Sequence, residues 1–455
     1  MSFPVENGSI QEIIMLLVKE NIDYICENIS RNGDGELCFA GMPLSPLAEK
    51  YGTPLYLYDE ERVRERCRTY LTAMKAAFGE RARVLYASKA ASFRRLYEIM
   101  REEGMGIDVV SLGEIETATV AGYPLEKAYF HSNNKTDHDI DVAIDRGVGC
   151  FVVDNEEELL AIDEISRGKG VISRVLLRLP PGIDPHTYAA VATGKVDSKF
   201  GSAIETGQAE KITRLALSLE NVCLRGFHCH VGSQVFDSDV YLRAADVMLG
   251  FVKEMNDKLG YLANELDIGG GYGVRYIASQ PEIDIAANIR EVGEYMTRRA
   301  SELGIPLPEI ALEPGRSIVA DAGLTVYTVG TVKRIPGYKT YVSVDGGMTD
   351  NPRYALYGSP YTILPVLYHD DAELETVSVV GRCCESGDII QENVGLPSDL
   401  CRGSLIACLT TGAYHYSMAS NYNRIPRPPV VMLKDGVSYL AVRRETPQDI
   451  VSLDV

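Results

Sequence analysis

The stretch RVLYASKA, residues 83–90, is an apolar, strand-like run that ends in a lysine, Lys89. Helix-length segments separate it from further short runs, each ending in a polar or glycine-rich group: GIDVVS (106–111), KAYFHS (127–132), GCFVVD (149–154), RVLLRLP (174–180), LRGFHCHV (224–231), ELDIGGG (265–271) and EIALEPGR (309–316). Strands that alternate with helices predict a parallel sheet, and eight such repeats favour a closed (β/α)8 barrel of the TIM type. RVLYASKA would be its first strand.

A second, all-β domain is predicted after the barrel, as a β-sandwich or β-barrel. The strand-like segments beyond Arg316 have no helix-length spacers: GLTVYTVGTVKRI, TYVSVDGG, TVSVVGR, SLIACLTTG, PVVMLKDG and VSYLAVRRE. We assign residues 61–317 to the barrel and residues 1–60 with 318–455 to the β-domain. The fold class is therefore α/β plus all-β.

Composition excludes several classes of protein. The net charge of −19 over 455 residues leaves no basic stripe for nucleic acid. None of the ten cysteines forms a CxxC pair, which favours reduced thiols. The N-terminus lacks the basic region of a signal peptide, and no apolar run reaches the ~18 residues of a membrane span. We therefore expect a cytoplasmic protein without nucleic acid or membrane partners.

The carboxyl ends of the strands gather candidate site residues at one face of the barrel, where barrel enzymes place their active sites. Lys89 has two interpretations there: a rim lysine whose stem packs on apolar surface, or a desolvated lysine with a depressed pKa that forms a Schiff base. The predicted ring comprises Ser88, Lys89, Asp108, His131, Asp154, Arg178, His228, His230, Gly269 to Gly271, Glu313 and Arg316.

Three of these features together point to a cofactor. The glycines of DIGGGYG are a weak signal alone, but after strand seven they favour a phosphate site. Glu313 could pair with Arg316 at the rim, or face a ring nitrogen. A lysine, a phosphate loop and such an acid are what pyridoxal phosphate requires, and His230 could stack on its ring.

A metal site is not predicted. The HCH segment, residues 228–230, places two histidines on the same face of a strand. The sequence shows no evident third ligand at metal spacing.

Seven motifs, in this order, resemble the diaminopimelate decarboxylases, pyridoxal phosphate enzymes of the alanine-racemase-fold group: YASKA, HCHVGSQ, DIGGGYG, EPGRS, DGGMTDNPRYALY, CESGD and GAYHYSMASNYNRIPRP. The resemblance extends from about Leu47 to about Leu433. CESGD together with MASNYNxxPRP is more particular to this branch than the other motifs. One departure is YASKA, where many relatives read YALKA or YAVKA. The implied reaction converts meso-2,6-diaminopimelate to L-lysine and CO2 in lysine biosynthesis.

The resemblance also implies residue roles. Lys89 would bind the cofactor covalently and move protons, His230 would stack on its ring and Glu313 would bond the ring nitrogen. The phosphate would be held by Ser233, Gly270, Gly271, Gly315, Arg316 and Tyr422. The substrate would be bound by Arg316, Arg353, Tyr357, Glu385 and Tyr422. Catalytic Cys384, with Glu385, would enter from the neighbouring subunit of a homodimer.

Three alternatives stay open at this point. The chain could be another decarboxylase of this fold, of the ornithine, arginine or carboxynorspermidine type, or an amino acid racemase, although Glu313 favours a decarboxylase because racemases place an arginine there. It could also be a non-catalytic relative, against which the presence of Lys89, His230, Glu313, Cys384 and Tyr422 argues. Cys383 is interpreted as a small buried apolar residue. About thirty extra N-terminal residues have no functional interpretation.

Overall fold

The computed structural model of the protein describes residues 25–183, 198–369 and 372–455. They form two compact units. The barrel unit comprises Arg64–Val274 and Glu282–Ile318; the β unit comprises the described residues up to Val63, Arg275–Pro281 and Val319–Val455. Most of the N-terminal extension lies outside the described residues.

The barrel unit is a closed barrel of parallel strands. The strands that the structure describes are Ala82–Ala87, Gly106–Val109, Ala128–Phe130, Cys150–Val153, Ser173–Arg178, Val222–His228, Glu265–Asp267 and Glu309–Leu312. Pairing of Ile310 with Ala82 joins the last strand to the first and closes the barrel. The predicted TIM-type barrel is confirmed.

The barrel strands end earlier than their sequence motifs do. The first strand stops at Ala87, so that Lys89 lies on a short 3-10 turn, Ser88–Ala90. The last strand stops at Leu312, and Glu313 follows it. The chain leaves the barrel at these points, because backbone beyond the last ladder hydrogen bond is free to turn. Lys89 and Glu313 therefore lie just beyond the strands, at one end of the barrel.

Helices alternate with the strands, as a parallel sheet requires. Their ends follow from local sequence: Thr136 and Asp139 form a capping box, and Gly104 and Gly170 end helices in the left-handed conformation. The helices of this part of the chain are Glu60–Phe78, Arg94–Glu103, Leu112–Val120, Asp137–Asp145, Glu156–Lys169, Gln208–Ser218, Ser238–Leu259, Ile285–Leu303 and Arg316–Val319.

The β unit contains a mixed sheet and a small antiparallel sheet. Strand Leu55–Asp59 pairs antiparallel with Gly323–Ile335 and parallel with Val430–Lys434. N-terminal and C-terminal segments thus share one sheet. Its other described strands are Lys339–Val344, Ile363–Pro365, Leu374–Val380, Ile389–Pro397, Leu405–Cys408 and Val437–Val442, and the small sheet contains Ile29–Arg31, Leu37–Phe39 and Met42–Pro43.

Short helices complete the β unit, at Leu44–Tyr51, Arg353–Tyr357 and Pro447–Val451. Its core is apolar and includes Phe39, Leu57, Val326 and Leu433, all essentially inaccessible to water. Within the described residues of the whole chain, no helix is long and apolar enough to cross a bilayer.

Candidate active site at the carboxyl end of the barrel

Glu313 is the centre of a buried acid–base cluster. Its Oε1 lies 2.6 Å from Nε2 of His131, and its Oε2 lies 3.0 Å from Nε2 of His228. The histidines come from two other strand ends, and their rings meet edge to face at 4.9 Å. Burial would raise the pKa of Glu313, but the two imidazoles outweigh it and hold that pKa well below its ordinary value. Glu313 is therefore a fixed, ionised carboxylate.

Two further buried acids lie around this cluster. Burial raises the pKa of Asp267 well above its ordinary value, and the negative charge of Glu313 raises it further. Burial also raises the pKa of Asp108, which the charges of His131 and Lys89 partly offset. At this end of the barrel the pKa values of Asp108 and Asp267 are thus raised while that of Glu313 is lowered, and carboxyl groups whose pKa values are driven apart are typical of functional sites.

The glycine loop after strand seven is held next to the cluster by hydrogen bonds. Asp267 accepts a hydrogen bond from the backbone N–H of Gly269 at 2.7 Å, and the Gly269 carbonyl accepts one from the N–H of Glu313 at 2.9 Å. A Cβ on Gly270 would lie 2.0 Å from the carbonyl oxygen of Glu313. Gly271 has φ of +108°, which L side chains rarely adopt. Only glycine fits these two positions, and the absence of side chains lets an anion approach the backbone of this loop closely.

Arg316 and Ser233 form a second pair at this end. Nε and Nη2 of Arg316 both donate to Oγ of Ser233, at 3.1 Å each. Arg316 is buried, so water screens its charge weakly and its attraction for an anion is stronger than at the surface. Gly315 precedes Arg316 and packs on Ala87. A Cβ added to Gly315 would lie 2.9 Å from the Cβ of Ala87. These contacts bring together residues predicted to hold the phosphate and a carboxylate.

Lys89 differs from the prediction of a desolvated lysine. It is exposed, because the strand ends at Ala87 and the turn that carries Lys89 lies at the rim. Its charge nevertheless reaches the cluster. Burial lowers the pKa of the partly buried His230 well below its ordinary value, and the charges of Lys89 and Arg178 lower it further. His230 also accepts a hydrogen bond from the Gly270 N–H at 3.3 Å.

The residues at this end fit pyridoxal phosphate. Several buried polar atoms have no hydrogen-bond partner among the described residues, which is uncommon away from binding sites: Ser88 Oγ, Asp108 Oδ1, Asp154 Oδ1, His228 Nδ1 and Asp267 Oδ2. They belong to residues at the same strand ends as the glycine loop, which suits an anion, and the ionised Glu313, which suits a ring nitrogen. The donor set therefore suits a polar, phosphorylated heteroaromatic ring.

The sequence analysis found no third metal ligand beside the HCH histidines. In the structure His228 does meet two others, His131 and Glu313, whose ligand atoms lie within 4.8 Å of one another. Their separation in sequence hid this grouping. Nε2 of His131 lies 2.6 Å and Nε2 of His228 lies 3.0 Å from the Glu313 carboxylate, so these three side chains form one close group that also has the composition of a metal site.

In the β unit, Arg353 begins a short helix, Arg353–Tyr357. Its guanidinium lies over two rings, 4.8 Å from the centroid of Tyr357 and 5.1 Å from that of Tyr414. Arg353 is buried while Tyr357 is partly exposed. A stacked guanidinium is held in one orientation, which suits bidentate binding of a carboxylate.

A second group in the β unit contains Cys384 and Tyr422. Cys384 is exposed, and its backbone N–H donates to Oδ1 of Asn423 at 3.0 Å, which places it next to the exposed Tyr422. Glu385 is exposed and accepts from the Gly387 N–H at 3.2 Å. The half-buried Cys383 has a pKa raised by burial to about 12, so that it stays a neutral thiol.

Some residues around the site carried no assigned role in the sequence analysis. His131, His228 and Asp267 were recognised as strand-end residues only, and the first two surround Glu313. Asp388, the last residue of CESGD, accepts from the backbone N–H groups of Met348 at 2.6 Å and Cys383 at 2.7 Å. The position of Asp388 in the CESGD motif indicated that it matters. Only the fold shows that its carboxylate connects the segments that carry Met348 and Cys383.

Comparison with known proteins agrees with this geometry. Residues 60–320 match the family described as "Pyridoxal-dependent decarboxylase, pyridoxal binding domain". The chain is 43% identical to the diaminopimelate decarboxylase of Bacillus subtilis over 425 residues, which cover 93% of this chain and 96% of that protein. It is 44% identical to the enzyme of Bacillus methanolicus over 421 residues, 91% and 95% of the two chains.

A solved structure is similar as well. The crystal structure of diaminopimelate decarboxylase from M. jannaschii in complex with L-lysine matches with a TM-score of 0.86 and 32% identity, covering 94% of this chain and 98% of that one. The family model that matches the barrel is that of a pyridoxal-binding domain, and these relatives, aligned over nearly their whole length, are diaminopimelate decarboxylases. Together they identify the class of protein. The chain belongs to the pyridoxal phosphate-dependent amino acid decarboxylases and, within them, to the diaminopimelate decarboxylase family.

Proposed function

We propose that the protein removes one carboxylate from meso-2,6-diaminopimelate as CO2 and releases L-lysine. The observation that carries the proposal is the ionised Glu313, held by two imidazoles beside a glycine anion cradle. An acid in this place can keep a ring nitrogen protonated, which decarboxylation requires. The names of the full-length relatives supply the substrate.

The barrel residues would hold and orient the cofactor. When bound, pyridoxal phosphate supplies an electron sink for the electron pair that CO2 leaves behind. Lys89 would hold it through Nζ and, once released, move a proton at the reacting carbon. Glu313 would keep a proton on the ring nitrogen, and His230 would limit ring movement by stacking. The phosphate would be held by Ser233, Gly270, Gly271, Gly315, Arg316 and Tyr422.

Specificity would come from the far end of the substrate, which carries a second amino acid head. Arg316 and Arg353 present planar forks that match a carboxylate, and Glu385 can pair with the neighbouring ammonium. Tyr357 and Tyr422 would border this place. Cys384 carries an exposed thiol, which can donate or accept a proton.

The test is CO2 release from meso-diaminopimelate, with and without added pyridoxal phosphate, together with the chirality of the product. We expect L-lysine as the product, and much slower turnover of L-ornithine and L-arginine. Lys89→Ala should lose both the cofactor's absorbance band and CO2 release, whereas the exposed control Lys211→Ala should keep them. Equal or faster turnover of L-ornithine would contradict the proposed substrate, and a changed chirality without CO2 would indicate a racemase.

We also propose that the active form is a homodimer in which Cys384 and Glu385 complete the partner's site. Their exposure in the single chain supports this. Inactive Lys89→Ala and Cys384→Ala proteins, mixed and allowed to exchange subunits, should then recover about a quarter of wild-type activity, because half of the dimers would carry one intact site. No recovery on exchange would contradict a shared site. A cytoplasmic location stays a prediction.

A further inference from the structure

We propose that His131 and His228 are positioning residues that fix the carboxylate of Glu313 for the ring nitrogen of the cofactor. This proposal rests on the role of Glu313 given above and extends it to two residues that do not touch the ring nitrogen themselves. It predicts that both histidines act on the cofactor through Glu313 and not independently.

Three strands supply the three side chains. His131 follows strand Ala128–Phe130, His228 ends strand Val222–His228, and Glu313 follows strand Glu309–Leu312. Each imidazole uses Nε2, one for each carboxylate oxygen, at 2.6 and 3.0 Å. Because each oxygen is contacted from a different strand, rotation of the carboxylate about its own axis would break both contacts. The plane of the carboxylate is thereby fixed.

The two histidines also decide how Glu313 ionises. A carboxylate that is buried without donors takes up a proton instead of keeping its charge. Among the described residues, the charged or titratable groups that act on or beside this cluster include Lys89, Asp108, Asp154, Arg178, His230 and Asp267, besides the two histidines. Burial lowers the pKa of His228 to about 4, so that it is a neutral donor near neutral pH.

Asp267 shows what Glu313 would become without these donors. It is as deeply buried and faces the same cluster, but its recorded donor is a single backbone N–H, that of Gly269. Its pKa is raised by burial and by the charge of Glu313, in the opposite direction to that of Glu313. The difference between the two acids is the imidazole pair. Loss of one imidazole N–H should therefore move Glu313 towards the neutral form and weaken its hold on a protonated ring nitrogen.

The experiment compares pairs of variants of the full-length protein. His131→Phe and His228→Phe keep a flat ring and remove the N–H, whereas His131→Gln and His228→Gln keep an amide N–H near the position of Nε2. The dissociation constant of pyridoxal phosphate is measured by absorbance titration of the apo protein. We expect each phenylalanine variant to bind about 10-fold more weakly, since a hydrogen bond to a charged group is lost, and each glutamine variant to recover most of the affinity.

A double-mutant cycle separates positioning from a structural role. In the Glu313→Gln background, His131→Phe should change the dissociation constant less than about 2-fold, because its effect passes through the missing carboxylate. A full 10-fold loss in that background would overturn the proposal. So would phenylalanine variants that bind as tightly as wild type. The exposed His138, on helix Asp137–Asp145, gives the matched control His138→Phe, whose affinity should stay unchanged.

A measurement on folded wild-type protein covers the case in which the phenylalanine variants do not fold. The Nε2–H protons of His131 and His228 should give strongly downfield NMR resonances that move upfield in Glu313→Gln, because an amide oxygen is a weaker acceptor than a carboxylate. Resonances that stay at their wild-type positions would overturn the proposal. Failure of the proposed function would look different: wild-type protein would then release no CO2 from meso-diaminopimelate, whatever the histidine variants do to cofactor affinity.

Discussion

Two carboxylates are buried to a similar degree, Glu313 in the barrel unit and Asp350 in the β unit. Their pKa values are shifted in opposite directions. Burial raises the pKa of Asp350 to about 7, although it accepts hydrogen bonds from the Tyr327 hydroxyl at 2.6 Å and the Gly347 N–H at 2.9 Å. The pKa of Glu313 is held well below its ordinary value. Burial alone therefore does not decide whether an acid keeps its charge.

The difference lies in what the donors offer. Glu313 meets two imidazoles that approach both oxygens, whereas the phenol and backbone N–H that donate to Asp350 lower its pKa less than burial, together with the charge of Asp345, raises it. In the barrel the result is a charge available for a ligand. In the β unit it is a turn, Gly347 to Asp350, that leads into Arg353. The same residue chemistry orders a turn in the β unit, and in the barrel unit we propose that it serves cofactor binding.

The largest expected effect is the pH dependence that Asp350 gives to stability. Its folded pKa lies above its ordinary value of 3.8, so its stabilising contribution is complete below pH 4 and is lost as the pH rises to about 7. Denaturant unfolding of wild type and Asp350→Asn should therefore diverge over this range, in favour of the variant, by up to about 4 kcal/mol. The exposed control Asp399→Asn should follow wild type; parallel curves for Asp350→Asn would contradict the raised pKa.

His228 should show the opposite slope. Its folded pKa of about 4 lies below its ordinary value of 6.5, so the unfolded chain takes up the proton first and wild type loses stability as the pH falls between these values. His228→Gln should remove up to about 3 kcal/mol of this acid sensitivity. The comparison variant is His138→Gln, at an exposed position, which should keep the wild-type slope. An unchanged slope in His228→Gln would show that His228 is not neutral in the folded protein.

Glu313→Gln tests the functional half of the comparison. It should lower CO2 release roughly 100-fold, or about 2.7 kcal/mol in the barrier, because the amide carries no charge to hold a ring proton. Glu265→Gln is the matched control: Glu265 is equally buried and begins strand Glu265–Asp267, at the opposite end of the barrel. Its activity should stay within about 2-fold of wild type. Equal losses in the two variants would mean that burial, and not position, explains the effect.

The smallest effect is expected at Asp388, a buried acid whose recorded donors are backbone N–H groups. Asp388→Asn would turn an amide N–H towards either Met348 N or Cys383 N and lose one of the two hydrogen bonds. The free energy of unfolding of the variant should be about 1 to 2 kcal/mol lower than that of wild type at pH 7. Asp399→Asn again serves as the control, and a loss below 0.5 kcal/mol, roughly the effect of an ordinary surface substitution, would contradict this role.

The sequence predicted the barrel because its strands are short apolar runs that end at polar or glycine-rich groups. This pattern can be recognised without knowledge of the fold. It did not predict strand ends, which depend on the last ladder hydrogen bond. Lys89 was therefore expected inside and lies on an exposed turn. It also did not predict that His131 and His228 share Glu313, because they precede Glu313 by 182 and 85 residues, respectively, and meet it only when the barrel closes.

The sequence by itself determined the eight-fold alternation of strands and helices, the motifs of the decarboxylase family and the glycine run after strand seven. These are local properties, set by side-chain periodicity and backbone freedom within a few residues. Only the tertiary structure decided which acid keeps its charge. Ionisation in a protein interior depends on donors that arrive from distant strands, and closure of the barrel brings two imidazoles to Glu313, whereas the recorded donor to the Asp267 carboxylate is the backbone N–H of Gly269.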